Sequence, residues 1–341
     1  MPAAEKNLEA LPYDDANAEA WDAFLRTTTN GTLFHTRAFL NYHPADRFDD
    51  DSLFFLKGGK IIAVFPAAIR RDDKSNILRS HPGASYGGLV VRSTLSLRDA
   101  DRLVQHLVEY AQQRGYAGVE MTLPPQIYYF RPSNYLDFSL YQNGFVYRKR
   151  EVSSVIPLDV PPRSATLKNC GIGAEPPLMI ELFSPASRRA VRRAEKLGVQ
   201  VGESDDFAEF YKILKKNLSL RHNVQPAHTL EELKTLKKLF PEKIRLFASR
   251  FDGKMIAGIV VFICNERVAL AFYVSHDETY QKYRGVNLVF NEVIRWCAEQ
   301  HFRFLDFGIF TVNMEPNWGL CRFKESFGAS GVFRDTLIRQ F

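Results

Sequence analysis

The chain of 341 residues carries a net charge of +6 and is 45% hydrophobic and 25% charged. That composition excludes a disordered chain, and the length favours two domains over one core. No run of eighteen apolar residues occurs, which excludes a spanning helix of the usual length. The mild basic excess leans toward anionic partners such as phosphates, acidic headgroups or RNA.

The opening stretch MPAAEKNLEALPYDDANAEA has no basic n-region followed by an apolar h-region, so no secretion signal is expected. Cys170, Cys264, Cys297 and Cys321 match no metal or redox spacing. Free, mostly buried thiols in a cytoplasmic chain are the simplest reading. The aromatic content of 13% suits strand-rich cores and apolar clefts.

In chain order, DSLFFLKGGKIIAVFPAAIR (51–70) places two apolar runs around Gly58-Gly59, which predicts a β-hairpin. SYGGLVV (85–91) predicts a further strand. In LRDADRLVQHLVEYAQQRG, Leu103, Leu107 and Tyr110 recur at helical spacing. QRGYAGVEM (113–121) predicts a short strand, and GFVYRKREVSSVI from 144 another. The Pro161-Pro162 and Pro176-Pro177 pairs, with Gly171 and Gly173, then interrupt regular structure.

SPASRRAVRRAEKLG (184–198) reads as a basic helix. Ser184 is its N-cap, Pro185 sits in the first turn and Gly198 follows its end. Arg188 and Arg192, like Arg189 and Arg193, stand four residues apart. Like charges at that spacing repel unless an anion lies near, and guanidinium forks suit phosphate. A solvated helix face is the competing reading. DFAEFYKILKKNLSL then gives another helix, and RHNVQP (221–226) a turn holding Arg221 and His222. Thr229 and Glu232 form a capping box for the next helix. His222 and His228 lack a third ligand, so no metal is expected.

The same order of elements then returns. KIRLFASRFDGKMIAGIVVFIC (243–264) is a hairpin around Asp252-Gly253, and RVALAFYVS (267–275) is a strand. NLVFNEVIRWCAEQ is a helix with Val289, Val293, Trp296 and Cys297 on one side. EQHFRFLDF (299–307) and GVFRDTLIRQF from 331 are strands. Hairpin, strand, helix, strand, strand thus occurs twice, which points to duplication. The expected layout is an N-terminal domain over 1–160, a linker over 161–183 and a C-terminal domain over 184–341. The fold class is α/β with mixed sheets.

In the second copy, a strand, then Arg284-Gly285-x-x-Leu288, then a helix resembles the acyl-CoA-binding turn of GNAT acetyltransferases. There, amides at a helix N-terminus hold a pyrophosphate. The usual Gln/Arg-x-x-Gly-x-Gly/Ala pattern, mapped from Arg284, places Asn287 and Val289 at its small positions, so the cradle reads as degenerate. WDAFLRTTTNGTLFHTRAFL, PGASYGGLVV, SRRAVRRAEKLGVQV, SLRHNVQP, VNLVFNEVIRW, FRFLDFG and FKESFGA, in that order, resemble the FemABX-like aminoacyltransferases and the tandem-GNAT acyltransferases over nearly the whole chain.

That resemblance implies two GNAT-like domains packed across a cleft. It also implies transfer of an amino acid from aminoacyl-tRNA onto an amine of a peptidoglycan precursor, with no tightly bound cofactor. The lysine of the family's FK-x-x-FG turn corresponds to Lys324, with Phe323 beside it, and would meet the donor or the developing oxyanion. Arg189 and Arg193 would meet precursor phosphates. Arg221 and His222 correspond to a site-lining turn. The long helical arm of some members has no counterpart here. The first copy has no Arg-Gly-x-x-Leu turn, which suggests that its own site is lost.

Acyl transfer to an amine needs the amine deprotonated, the carbonyl oxygen stabilised and both reactants oriented. The resemblance to the GNAT fold implies that residues 272–275, as its bulged strand end, supply backbone amides for the oxygen. Asp306 is the base to test, or else caps a strand end. Tyr273 orients substrate, or else packs in the core. Arg284, Gly285 and Asn287 are the donor-binding positions if acyl-CoA is the donor. Three readings stay open: aminoacyl or other acyl transfer to an amine, CoA-dependent N-acetylation, and non-catalytic binding of an anionic glycan, lipid or nucleic acid. Partners in keeping with the charge are an anionic small molecule or lipid-linked substrate, tRNA, and a membrane surface contacted peripherally.

Overall fold

The computed structural model describes residues 7–44, 46–70, 74–159, 179–222 and 225–341, with backbone alone at 220–222. Two compact units divide the chain. One comprises Met1–Glu151 with Phe333–Phe341, the other Val152–Val332. The sequence reading closed its second domain at 341, whereas the last nine residues lie in the first unit. Most of the expected linker, 161–178, lies outside the described residues, as does Cys170.

In the first unit, the hairpin strands Leu53–Lys57 and Lys60–Phe65 meet at Gly58-Gly59, both at positive φ as a two-residue hairpin turn requires. Leu8–Pro12 and Val90–Val91 flank them, giving four antiparallel strands. Gly118–Thr122 pairs with Thr336–Gln340 on one side and, in parallel, with Ile77–Ser80 on the other. The helix Leu97–Gln113 buries Leu103, Val104, Leu107 and Ala111 against Phe55, Phe65, Val119 and Met121. Tyr110 stays half-buried because its hydroxyl donates to Asp51 Oδ1 at 2.7 Å.

In the second unit the strand order is Gln200–Ser204, Ile244–Phe251, Lys254–Ile263, Val268–His276, Phe304–Ile309, and then residues 153–157 of the strand Val146–Pro157. Asp252-Gly253 makes the hairpin turn. The helix Gly285–Glu299 buries Val289, Phe290, Val293, Ile294 and Cys297 against Ile259, Val261, Leu305 and Phe307. The closing strands do not pair as the repeat predicted. Residues 153–157, assigned to the first copy, pair in the second unit, and 336–340, assigned to the second copy, pair in the first. A one-dimensional repeat shows the order of strands but not which sheet each one joins.

Candidate active site

The two central strands of the second unit part company, and that creates the site. Val268–Leu270 pairs in parallel with Phe304–Asp306, and the pairing then stops. On its other edge Val268–His276 stays paired with Lys254–Ile263, through an irregularity that leaves Phe272 as the extra residue. Val274, Ser275 and His276 thus have a strand neighbour on one side only. Along this open edge lies a cleft of about 1140 Å³. Its walls include Leu214 and Asn217 from the helix Phe207–His222, Leu320 and Phe323 from the helix Trp318–Glu325, and Arg189 and Arg193 from the basic helix.

One end of the cleft is a helix N-terminus. Arg284, in the left-handed region at φ 59°, ends a short turn and starts the helix Gly285–Glu299. Asn287 and Leu288 return their amides to the Arg284 carbonyl at 3.0 and 3.3 Å, while those of Gly285 and Val286 have no acceptor among the described residues. Arg189, Arg193 and Arg284 line the same cleft, and none has a carboxylate partner among the described residues. Two open amides, a helix dipole and three uncompensated guanidiniums make a strong anion locus. Glycine at 285 has its own cause. A Cβ there would stand 2.6 Å from Ser249 Oγ and 2.8 Å from Ile256 Cδ1, so the glycine lets helix and sheet approach.

The cleft therefore gathers Arg189, Arg193, Arg284, Gly285, Asn287 and Phe323 of the residues singled out in the sequence. Lys324 and Asp306 do not line it. Lys324 lies in the helix Trp318–Glu325, 6% exposed, and its ammonium donates to the carbonyls of Gly308 and Ile309 at 2.7 and 2.8 Å. Burial pushes its pKa down to about 8, a shift the nearby Asp306 carboxylate only partly offsets. Asp306 is fully buried. Its Oδ1 accepts from Ser153 Oγ and from the Gly308 amide, both at 2.7 Å. These two residues hold the diverging end of Phe304–Ile309 in shape: the ammonium is engaged by two backbone carbonyls, and the carboxylate caps the strand end, the alternative the sequence also offered. Side-chain direction within a helix and a strand turns both inward.

Tyr273 is engaged by His228 and does not line the cleft. Its hydroxyl accepts from the His228 amide at 3.0 Å and lies 2.8 Å from His228 Nδ1, and burial drives its pKa upward. Arg221 and His222 belong to the last turn of the helix Phe207–His222 rather than to a loop, and their side chains lie outside the described residues.

The sequence reading missed several lining residues. Asn217 donates to Ser275 Oγ at 3.0 Å and to the His276 carbonyl at 2.9 Å, tying a helix to the open strand. Ser187 and Ser326 share a hydrogen bond at 2.8 Å and join the basic helix to the helix Trp318–Glu325. Asp277 caps the turn after the strand through the Thr279 amide. Burial alone would raise its pKa, but hydrogen bonds from Thr279 and Lys254 and the Lys216 charge outweigh that and lower it. The Asp-x-Thr pattern after a strand was a readable sign of this cap. His276 lines the cleft at the end of the open edge, a residue type suited to moving a proton near neutrality. No spacing signal marked it.

Residues 186–325 match the family model described as an acetyltransferase (GNAT) domain. No curated protein matches the sequence. Among solved structures, FemX is similar over 98% of this chain and 97% of its own, with a TM-score of 0.71 at 12% identity. L-PGS from Bacillus licheniformis is similar over 99% and 94%, with a TM-score of 0.59 at 13% identity. A tandem GNAT protein from the clavulanic acid biosynthesis pathway is similar over 98% of both chains, with a TM-score of 0.56 at 13% identity. The chain thus has a mixed α/β fold that matches FemX and a tandem GNAT structure over its whole length, with the acetyltransferase domain match falling on the unit that holds the cleft.

Proposed function

We propose that this chain is an acyltransferase that moves an acyl or aminoacyl group from an activated donor to an amine, with the donor held in the cleft of the second unit. One observation carries the reading: the anion locus of Arg189, Arg193, Arg284 and the Gly285 and Val286 amides shares a single cleft with the open strand edge Val274–His276. Phosphates of the donor sit at the helix N-terminus. The acyl carbonyl lies along the open edge, where backbone amides stabilise its oxygen as it gains charge, a donor of this type being worth ~3 kcal/mol. The amine nitrogen attacks the carbonyl carbon and gives its proton to His276. The bond to the ester oxygen or thioester sulfur breaks, that leaving group takes a proton, and an amide forms.

The sequence resemblance to the FemABX-like aminoacyltransferases supports an aminoacyl donor and an amine on a cell-envelope precursor. A second reading, with acyl-CoA as donor, is favoured by the two open amides at Gly285 and Val286. The pattern looked degenerate in sequence because it counts small side chains, whereas the cradle consists of backbone N–H groups. Thermal shift against acetyl-CoA and against aminoacyl-tRNA, followed by mass spectrometry of an amine acceptor, separates the two. A donor that binds the native state alone raises the melting temperature. An amide product from neither donor class would overturn the proposal.

A further inference from the structure

The rim of the same cleft carries two features that donor binding does not need. The first is apolar. Between the paired segments Thr311–Val312 and Glu315–Pro316 runs a tight turn at Asn313 and Met314, both at positive φ. Such a turn normally uses glycine in its second place, and a methionine there is held in a conformation that side chains disfavour. Met314 is 53% exposed, Val312 68% and Trp318 69%. Leu320, 37% exposed, continues this surface into the cleft wall. Exposed apolar side chains this close together in the chain are candidates for an interaction surface.

The second feature is charge. Beyond the cleft-lining Arg189 and Arg193, the same helix carries Arg188, Arg192 and Lys196, its only acid is Glu195, and none of these cations has a carboxylate partner among the described residues. The basic helix meets the helix Trp318–Glu325 through Ser187 and Ser326, and both helices border the cleft. Exposed aliphatic and tryptophan side chains on one helix-and-turn segment at the cleft, with uncompensated cations on the helix bonded to it, match a bilayer interface, with apolar groups entering the acyl boundary and guanidiniums on anionic headgroups.

We propose that the second unit docks on an anionic lipid bilayer through Val312, Met314 and Trp318, with the basic helix on the headgroups. Docking opens the cleft toward a substrate carried in the membrane. Only that consequence rests on the acyltransferase reading. The docking itself is measured without donor or turnover, so either can fail while the other stands.

The experiment is flotation of the full chain with phosphatidylcholine vesicles, with and without phosphatidylglycerol, while the tryptophan emission is followed. Binding is expected only to the anionic vesicles, with a blue shift from Trp318. M314S/W318S should abolish flotation with the anionic vesicles. R192A/K196A, which spares the cleft-lining arginines, should weaken binding roughly 30-fold, the loss of two basic residues at an anionic surface. Absence of binding to anionic vesicles overturns the proposal, as does binding that both variants retain. Vesicle binding that M314S/W318S leaves intact, with the basic helix instead required for retention of tRNA, also overturns it in favour of a nucleic acid.

Discussion

Replacing Lys324 with methionine should remove a pH dependence of stability that the wild-type chain carries. The folded-state pKa of about 8 lies below the ordinary 10.5 because the ammonium is buried. Between these values the unfolded chain holds a proton that the folded chain has released. The unfolded state binds more protons there, so stability rises with pH across the window. At about pH 7.5 this contribution is close to zero, and by about pH 9.5 it reaches about 2 kcal/mol. Methionine keeps the stem's volume and has no proton to lose. At neutral pH two opposed effects nearly cancel in the variant. The Gly308 and Ile309 carbonyls lose their donor, at about 1–3 kcal/mol each, while the desolvation cost of the charge, about 3 kcal/mol, disappears. The slope is therefore more diagnostic than the offset. Hydrogen exchange of the peptide 285–299 across a urea series reports opening of this unit alone. The wild type should gain about 2 kcal/mol on the variant between about pH 7.5 and about pH 9.5. Parallel pH profiles, or a wild type that loses ground, would refute a buried, depressed lysine.

His276→Gln should lower kcat by about 10²–10³-fold while leaving donor affinity within about twofold, as expected for a lost proton acceptor, measured by steady-state kinetics beside calorimetric donor binding. Arg193→Ala should weaken donor binding about tenfold or more, and its cost should shrink at high salt, because the missing contact is a charge-assisted one to phosphate. Gly285→Ala should destabilise the fold by an overpacking cost of about 1–3 kcal/mol, read as a lower melting temperature, and Ser249→Gly in the same chain should restore only part of it, since the new Cβ also meets Ile256 Cδ1 at 2.8 Å.

Much of the architecture was legible because it rests on local signals. Gly58-Gly59 and Asp252-Gly253 marked both hairpins, the Thr229–Glu232 capping box marked a helix start, and the 3.6-residue period placed Leu107 and Val293 in their cores. The exchange of closing strands was hidden because 153–157 and 336–340 carry similar strand signals whichever sheet they join. In the site, Arg189 and Arg193 were readable as like charges four residues apart on a helix, and Arg284 through the resemblance of its Arg-Gly turn to an acyl-CoA-binding turn. An ionisable residue between aromatics, such as Lys324 between Phe323 and Phe327, looks the same in sequence whether it serves a substrate or two backbone carbonyls. His276 and Asn217 escaped because their meaning depends on where two strands separate, and neighbouring residues do not encode that point.

Donor-dependent protection of backbone amides tests the central claim most directly. With acetyl-CoA or aminoacyl-tRNA added, hydrogen exchange should slow at Val286 and Asn287 and along Val274–His276, and Arg193→Ala should diminish both effects together. Unchanged exchange at both segments with either donor, or protection confined to the first unit, would contradict the assignment of the cleft as the acyl-donor site.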